Sequence, residues 1–430
     1  MSRRAAWLAT AWLAAASAAT HATPIETRWA KAFTESVGVN THLRHARSFY
    51  DRDFELLKQR LLAARIRHIR DGAMDQDGKF FARDRAERFR ELGEAGIRVT
   101  FIFRPMVTRE FVQGFPERVH PAFEAYELPN ELNQQKNMPW AEVLRVWMPM
   151  FAGYVRSGTD SARYPIVGPS VADLGGDPQL LLGGQAAELD FGNLHKYYRS
   201  FNPATSGYGR PGRPPCEAFR YGALPYALCQ VRRISGDKPI VCTEAGYASN
   251  GPSARAVTPE IQARYLARML MLHLKAGITR TFIYQLADHG SDEGGAMGLL
   301  EADGGEKPAW RQLSALMQEL DDSPKGGMGR APPLDVALAG ELENLEAMLF
   351  AKVDGSYRLV LWVETPSFDP AAARALDVAN QQVTLTLPAG FRARRLMTFE
   401  DTGTPNVQRL SGAAPRLAIG DNLSIVDIGR

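Results

Sequence analysis

The chain has 430 residues, with 51 lysines and arginines against 48 aspartates and glutamates, and 45% of it is hydrophobic. This length accommodates a barrel domain of about 250–300 residues and a smaller second domain. The near-neutral charge gives no electrostatic reason to expect a nucleic acid as partner, and the ordinary composition excludes a disordered or fibrous protein.

The first 22 residues have the pattern of a secretory signal peptide. Arg3 and Arg4 precede an apolar stretch at 5–16, and the small residues that end at Ala22 suit a cleavage site. The apolar stretch is short for a membrane span, and no later stretch reaches the roughly 18 apolar residues that such a helix needs. We therefore expect an exported protein, periplasmic or secreted, with no membrane span once the signal is removed. An uncleaved membrane anchor is the alternative.

Residues 30–324 alternate short apolar, β-branched runs with amphipathic helical patterns. Eight runs are predicted to be strands, at 37–40, 66–70, 99–103, 123–128, 166–167, 191–194, 240–243 and 281–284. Gly96 and Gly277 each end a helical pattern just before a strand, as expected of helix C-terminal glycines. The alternation predicts a (β/α)8 TIM barrel of the α/β class. Between Phe103 and Phe123 only a short helix near 108–113 is expected, so the third unit is predicted to be reduced.

The pattern changes after about residue 325. Gly326-Gly327 and Pro332-Pro333 indicate a linker, and alternating apolar runs at 348–352 and 357–363 follow. Asp354-Gly355 lies between these two runs and is a strong hairpin signal. We predict a small antiparallel, β-sandwich-like domain over residues 335–430.

The chain has three cysteines. Cys216 and Cys229 could pair across a short loop in an oxidising compartment, and the sequence leaves this pairing open. Cys242 lies in an apolar strand run, where a cysteine is usually a small buried hydrophobe. The absence of a C-x-x-C spacing argues against a zinc ribbon or a redox motif.

Polar residues follow the predicted strands, at the ends that gather on one face of a βα barrel. They are His42, Arg70, Asp71, Arg104, Asn130, Glu131, Asn133, His195, Tyr197, Glu244, Tyr284 and Gln285. Glu131 follows the fourth strand and Glu244 ends the seventh, so the two face each other across the barrel mouth. Glycoside hydrolysis needs two such carboxyl groups, one to protonate the leaving oxygen and one to attack the anomeric carbon or activate water.

Three stretches carry a resemblance to glycoside hydrolase clan A, the superfamily of retaining barrel glycosidases. The sequence YELPNELN at 126–133 resembles the Asn-Glu signature of the fourth strand. The sequence PIVCTEAGY at 239–247 is similar to the nucleophile segment of the seventh strand, and LHKY at 194–197 resembles the His-x-Tyr of the sixth. The resemblance covers residues 36–320, and within the clan it points to family 39 and related exopolysaccharide-cleaving enzymes.

The resemblance implies a retaining mechanism by double displacement, with Glu131 as the acid/base and Glu244 as the nucleophile. It also implies that Asn130 holds the sugar 2-hydroxyl, that Tyr197 orients Glu244 and that His195 lines the substrate subsite. The clan mechanism requires no cofactor.

His42, Arg70 and Tyr284 complete the predicted substrate-binding set. Tyr284 departs from the clan, because many members place a tryptophan there as a sugar platform. The expected partner is a poly- or oligosaccharide, and no metal site is predicted because paired metal-ligand spacings are absent from the sequence. The oligomeric state is not predicted.

Two alternatives remain open at this stage. The barrel could be a carbohydrate-binding protein of exopolysaccharide metabolism that has lost turnover, although the presence of both glutamates argues against this. Transglycosylation or lyase chemistry on a similar barrel is the other alternative.

Overall fold

A computed structural model describes residues 25–45, 47–74, 83–172, 179–249, 255–289, 296–322, 329–412 and 414–430. The predicted signal peptide and the Gly326-Gly327 part of the predicted linker lie outside the described residues. The described chain begins with strand β1 (Thr27–Trp29) and helix α1 (Ala30–Glu35).

Eight parallel strands form the barrel that the sequence predicts. They are β2 (Val37–Asn40), β3 (His68–Gly72), β4 (Arg98–Ile102), β5 (Phe123–Glu127), β6 (Ile166–Val167), β7 (Gly192–Tyr197), β8 (Ile240–Gly246) and β9 (Ile278–Ile283). Their order in the sheet is β6-β5-β4-β3-β2-β9-β8-β7. A parallel bridge between Val167 and Phe191 joins the two ends of this order. The prediction of a (β/α)8 barrel is therefore confirmed.

Helices connect successive strands and pack around the barrel. They are α2 (Phe49–Arg52), α3 (Phe54–Ala63), α4 (Arg83–Glu94), α5 (Arg109–Val119), α6 (Trp140–Ser157), α7 (Gln179–Leu182), α8 (Leu224–Ser235), α9 (Pro259–Lys275) and α10 (Pro308–Leu320). Short 3-10 turns lie at Leu132–Gln134, Ser161–Arg163 and Ala186–Glu188. In the described parts of the chain, no helix is both long enough and apolar enough to cross a bilayer.

The third βα unit is complete, and the prediction of a reduced unit was wrong. Helix α5 has eleven residues and contains Pro116, a residue that normally ends a helical pattern. Proline has no N–H, so the carbonyl of Val112 lacks its usual partner within the helix. The hydroxyl of Tyr126, on strand β5, donates a hydrogen bond to that carbonyl at 2.8 Å. A side chain from a neighbouring strand thus allows the helix to continue past the proline.

The C-terminal part forms antiparallel sheets, as predicted. Its strands are β10 (Ala337–Gly340), β11 (Leu345–Ala351), β12 (Tyr357–Val363), β13 (Phe368–Asp369), β14 (Arg374–Ala375), β15 (Gln381–Thr386), β16 (Arg392–Phe399), β17 (Pro405–Arg409), β18 (Arg416–Ile419) and β19 (Ser424–Gly429). The turn at Asp354-Gly355 joins β11 to β12, and Gly355 has a φ of +80°.

Strand β1 precedes the barrel in sequence but belongs to the C-terminal sheet. The six-stranded sheet has the order β1-β11-β12-β19-β16-β17, and Thr27 lies opposite Leu349 in a parallel pair. A three-stranded sheet of order β10-β15-β18 faces it. Leu359 and Leu361 of β12 pack with Val383 and Leu385 of β15 to fill the space between the two sheets.

The barrel and the six-stranded sheet share one apolar core. Phe350, Val360 and Trp362 belong to the same buried cluster as the residues of the barrel and its helices. Arg268 of α9 is fully buried at this junction and donates to Glu364 at 2.9 Å and to Ser367 at 2.9 Å. The C-terminal sheets are thus packed on the barrel by apolar and charged contacts together.

Two of the three cysteines form a disulfide. Cys216, in the loop before α8, is bonded to Cys229 within α8. Cys242 is buried in β8 and is not part of a disulfide.

Candidate active site

All eight residues predicted for the site lie at the mouth of the barrel, in the walls of two adjoining cavities of about 630 Å³ each. His42, Arg70 and Asn130 line the first cavity, over β2 to β5. Glu131, His195 and Tyr197 line the second, over β7 and β8. Glu244 and Tyr284 line both. The structure therefore brings the whole predicted set into one cleft that passes over Glu244.

Glu131 and Glu244 approach each other across this mouth. One oxygen of each, together with one ring nitrogen of His195, lie within 4.8 Å of one another. The side chain of Glu131 is 17% exposed and that of Glu244 is 11% exposed. Both carboxylates thus contact the cleft while remaining largely shielded from water.

Glu131 has an unusual backbone conformation. Its φ is +45°, in the left-handed region that residues other than glycine rarely adopt. Its backbone N–H donates to the carbonyl of Ser170, at 3.1 Å, and Gln134 donates to its carboxylate. Such conformations concentrate at functional sites, where the surrounding structure maintains them.

Glu244 is held by a donor at each carboxylate oxygen. Nη1 of Arg70 donates to Oε1 at 2.6 Å, and the hydroxyl of Tyr197 donates to Oε2 at 2.7 Å. Burial alone would raise the pKa of Glu244, but the charges of His195 and Arg70 and the hydrogen bond from Tyr197 lower it overall. Burial beside Glu244 raises the pKa of Tyr197 well above its ordinary value. The carboxylate is therefore ionised, and the tyrosine remains a donor.

Arg70 uses all five of its N–H donors below the mouth. Nε and Nη2 donate to both oxygens of Glu127, at 2.6 and 2.7 Å. Nη1 donates to Asn40 at 2.8 Å as well as to Glu244, and Nη2 donates to Asn130 at 2.6 Å. Burial alone would lower the pKa of Arg70, but the charges of Glu127 and Glu244 raise it overall. This fixed geometry sets the positions of Glu244 and Asn130 relative to each other.

His195 lies between the two carboxylates. Its Nδ1 is 2.7 Å from Oε1 of Glu131 and 3.5 Å from Oε2 of Glu244. Its Nε2 is 3.0 Å from the hydroxyl of Thr243. Burial alone would lower the pKa of His195, but the charges of Glu244 and Glu131 raise it above its ordinary value of 6.5. The raised pKa favours the protonated ring, whose charge offsets part of the negative charge of the two glutamates.

Several polar residues of the site were not predicted from the sequence. They are Asn40, Glu127, Asn193 and Thr243, all buried within barrel strands or at their ends. Glu127 is fully buried and receives bonds from Arg70 and, at 3.1 Å, from Asn193. The available signal was a charged residue inside an otherwise apolar strand run, because a buried carboxylate requires partners.

His42 and Tyr284 lie at the wall of the cleft. The ring of His42 stacks on His45 at a centroid distance of 4.7 Å and meets the edges of Tyr50 and Tyr284 at 5.6 Å. Burial lowers the pKa of His42 well below its ordinary value, so this ring is neutral. Tyr284 is half-buried, and its ring centroid lies 6.4 Å from that of Tyr197.

The oxygens of Glu131 and Glu244 and the nitrogen of His195 are close enough to hold a cation. However, both oxygens of Glu244 already accept bonds from Arg70 and Tyr197, and the raised pKa of His195 favours a protonated ring. These partners favour a charge-compensated carboxylate pair over a metal centre.

No protein-family model matches the chain, and no curated protein sequence does. Among solved structures, the chain is similar to a family 39 glycoside hydrolase from the gut symbiont Bacteroides cellulosilyticus WH2. The TM-score is 0.58 at 15% identity, over 94% of this chain and 83% of the other.

Two more distant similarities have a TM-score of 0.45. One is an active-site mutant of Rhizomucor miehei β-1,3-glucanosyltransferase in complex with laminaritriose, at 12% identity over 64% of this chain and 96% of that one. The other is the Faecalibacterium prausnitzii β-glucuronidase, at 15% identity over 66% and 49%. The chain thus has a glycosidase-like fold, the fold of a family 39 glycoside hydrolase.

Proposed function

We propose that the protein is a retaining glycoside hydrolase that cleaves a β-linked poly- or oligosaccharide by double displacement. The observation that carries the proposal is that one carboxylate oxygen of Glu131 lies within 4.8 Å of one carboxylate oxygen of Glu244 at the barrel mouth. Inverting enzymes separate their carboxyl groups by about 6.5–9.5 Å to admit a water molecule, whereas retaining enzymes hold them about 5–5.5 Å apart. The short separation favours direct attack by a carboxylate on the sugar.

In the first step Glu244 attacks the anomeric carbon and the glycosidic C–O bond breaks, while Glu131 gives a proton to the leaving oxygen. In the second step Glu131 takes a proton from water, which attacks the same carbon and releases Glu244. The charges of His195 and Arg70 and the hydrogen bond from Tyr197 keep Glu244 ionised for its role as nucleophile.

The cleft provides space on both sides of the proposed nucleophile. Each of its two cavities has a volume of about 630 Å³, and Glu244 lies where they meet. The amide oxygen of Asn130 accepts bonds from Arg70 and Ser170, so its amide nitrogen is the atom left to donate to a sugar hydroxyl. This arrangement suits a substrate with sugar units on both sides of the bond that is cleaved.

The first experiment assays wild type, Glu131→Gln and Glu244→Gln on aryl β-glycosides and on a panel of bacterial and plant polysaccharides. Glu244→Gln should lose activity on every substrate that the wild type cleaves. Glu131→Gln should lose about 10²–10⁴-fold in activity on substrates with poor leaving groups. It should lose much less activity on dinitrophenyl glycosides, whose leaving group needs no proton. Glu142→Gln, an exposed residue of α6, is the matched control and should retain full activity.

Product analysis in heavy-oxygen water distinguishes the alternatives. Retaining hydrolysis places the label on the new reducing end, and the first product has the anomeric configuration of the substrate. An inverted first product would contradict the double displacement. Unsaturated products would indicate a lyase, and unlabelled longer products would indicate transglycosylation. Specific binding of a polysaccharide that the wild type never cleaves would indicate a carbohydrate-binding protein.

We also propose that the protein is exported and that its first 22 residues are removed by cleavage near Ala22. The Cys216–Cys229 disulfide supports this proposal, because structural disulfides persist mainly in oxidising compartments. Fractionation of cells that express the full chain, with mass spectrometry of its N-terminus, tests it. Recovery of the intact first 22 residues in the cytosol would contradict export.

A further inference from the structure

A chain of hydrogen bonds runs below the two glutamates, from His195 to Glu127. The hydroxyl of Thr243 is 3.0 Å from Nε2 of His195 and donates to the amide oxygen of Asn193 at 2.7 Å. The amide nitrogen of Asn193 donates to Glu127 at 3.1 Å and to the carbonyl of Gly168 at 2.9 Å. Each of these side chains is buried.

The directions of these bonds determine where His195 carries hydrogen. Both partners of the Asn193 nitrogen are acceptors, so the orientation of its amide is fixed and its oxygen faces Thr243. A hydroxyl has one proton to donate, and both oxygens near that of Thr243 are acceptors: the amide oxygen of Asn193 at 2.7 Å and Oε1 of Glu127 at 3.3 Å. The proton of Thr243 goes to one of these two oxygens. The Thr243 oxygen can then only accept from His195, so Nε2 must carry hydrogen. A proton can therefore leave His195 only from Nδ1, the nitrogen that faces Glu131.

On the basis of the proposed function, we propose that His195 and Glu131 share one catalytic proton across their Nδ1–Oε1 hydrogen bond. Thr243 and Asn193 act as positioning residues. In the free protein the proton is on Nδ1. When the leaving oxygen requires it, the Nδ1–H bond breaks, an Oε1–H bond forms, and Glu131 passes the proton on. The proton that Glu131 later takes from water returns to Nδ1, so the cycle balances.

The charges that face His195 support this resting state. Glu131 lies 2.7 Å from Nδ1 and Glu244 lies 3.5 Å from it, while Arg70 opposes a positive ring. Tyr197, on the same strand, is neutral. The two carboxylates outweigh both burial and Arg70, and the pKa of His195 rises above 6.5.

Nitrogen NMR of the imidazole groups in the full-length protein tests this proposal without any turnover. The signals of His195 are those that disappear in His195→Asn. The pH midpoint of their titration should lie above 6.5 and should fall in Glu131→Gln. At high pH the ring should carry its hydrogen on Nε2. A midpoint at or below 6.5, or one that Glu131→Gln leaves in place, would overturn the proposal. His273 is the internal control, because both its nitrogens bond to Tyr198 and Thr281, away from the site.

Substitutions at Thr243 test the positioning role. Thr243→Val removes the acceptor at Nε2 with little change of shape, so His195 should populate both tautomers at high pH. Thr243→Ser retains the hydroxyl and should restore the single tautomer of the wild type. Identical spectra for the valine and serine variants would contradict the role of Thr243. If the valine variant does not fold, the NMR titration of His195 in Glu131→Gln decides whether the proton is shared.

Kinetics with two leaving groups separate proton supply from structure. His195→Asn should lose about 100-fold in kcat/KM on a phenyl glycoside and less than about 10-fold on a dinitrophenyl glycoside, which needs no proton. Equal losses on both would contradict proton sharing. A protein without hydrolytic activity would refute the proposed function, whereas the NMR titration would still report whether the proton is shared.

Discussion

Tyr197 and Tyr198 are neighbours in sequence with different environments. The hydroxyl of Tyr197 donates to Glu244 at 2.7 Å, whereas that of Tyr198 is buried against Nε2 of His273 at 2.9 Å. A hydrogen bond to a charged group contributes about 1.5–3 kcal/mol. Tyr197→Phe should therefore lower kcat/KM by about 10- to 100-fold.

Tyr198→Phe is the matched control for this prediction. It should destabilise the fold by about 1 kcal/mol and leave kcat/KM within about twofold of wild type. Steady-state kinetics and urea denaturation of both variants provide the check. Equal losses of activity would contradict separate roles for the two tyrosines.

Glu244 should contribute to stability in a defined pH range. Because its pKa in the folded protein lies below the ordinary 4.5, its ionised form stabilises the fold above pH 4.5. This contribution to stability is lost as the pH falls through the pKa of Glu244 in the folded protein. The difference in free energy of unfolding between wild type and Glu244→Gln should thus shrink from pH 6 towards pH 3. Urea denaturation across this range measures it, and a constant difference would contradict the lowered pKa.

At the scale of single residues, the sequence predicted the polar groups that follow the apolar runs and missed Glu127, Asn193 and Thr243, which belong to those runs. Glu131 and Glu244 follow from barrel topology, because strand ends meet at one mouth. Glu127, Asn193 and Thr243 are residues of β5, β7 and β8, and only the register of these strands shows which side chains point to the same interior layer. Their mutual contacts depend on three-dimensional packing that residue order does not reveal.

At the scale of elements, irregularities in β7 and β8 set the geometry of the site. The register between these strands shifts between Leu194 and His195, and that between β8 and β9 shifts between Cys242 and Ala245. The apolar runs that predicted these strands end at 194 and 243, next to the two shifts. Such irregularities redirect side chains beside active sites. Strand existence was therefore predictable, but the local displacement that orients His195 and Glu244 was not.

The disulfide should stabilise the segment that forms one wall of the cleft. It links residues 13 apart, and closing a loop of that size contributes about 3 kcal/mol. The carbonyl of Gly222, within this loop, accepts from Lys196 at 2.7 Å beside the second cavity. Reduction, or Cys216→Ser with Cys229→Ser, should lower the melting temperature by several degrees.

Thermal melting with and without reductant tests the disulfide prediction. Cys242→Ala is the control, because Cys242 is buried in β8 outside the disulfide, and its variant should keep the full response to reductant. A melting temperature that is independent of reductant in the wild type would contradict the prediction.

At the scale of the whole molecule, the junction between barrel and sheets depends on a buried ion pair. Glu364 is 6% exposed and pairs with the fully buried Arg268. Removing one member of such a pair costs about 3–5 kcal/mol, because the other charge stays buried without compensation. Arg268→Met should lower the free energy of unfolding by this amount, and adding Glu364→Gln should restore part of it.

Urea denaturation of the single and double variants measures this coupling. Arg163→Met is the control, because Arg163 and Asp160 form an ion pair whose members are 71% and 69% exposed. It should change stability by less than about 0.5 kcal/mol. Equal effects at Arg268 and Arg163 would contradict a structural role for the buried pair.

The pairing of β1 with β11 has a consequence for biosynthesis. A ribosome releases Thr27–Trp29 early, whereas Leu345–Ala351 is made only after the entire barrel. The six-stranded sheet is therefore completed last. Until then, the apolar surface of the barrel that this sheet covers stays exposed to solvent, which favours aggregation. The early and late segments end up side by side, so a chain that stops before Leu345 should leave β1 without its partner strand.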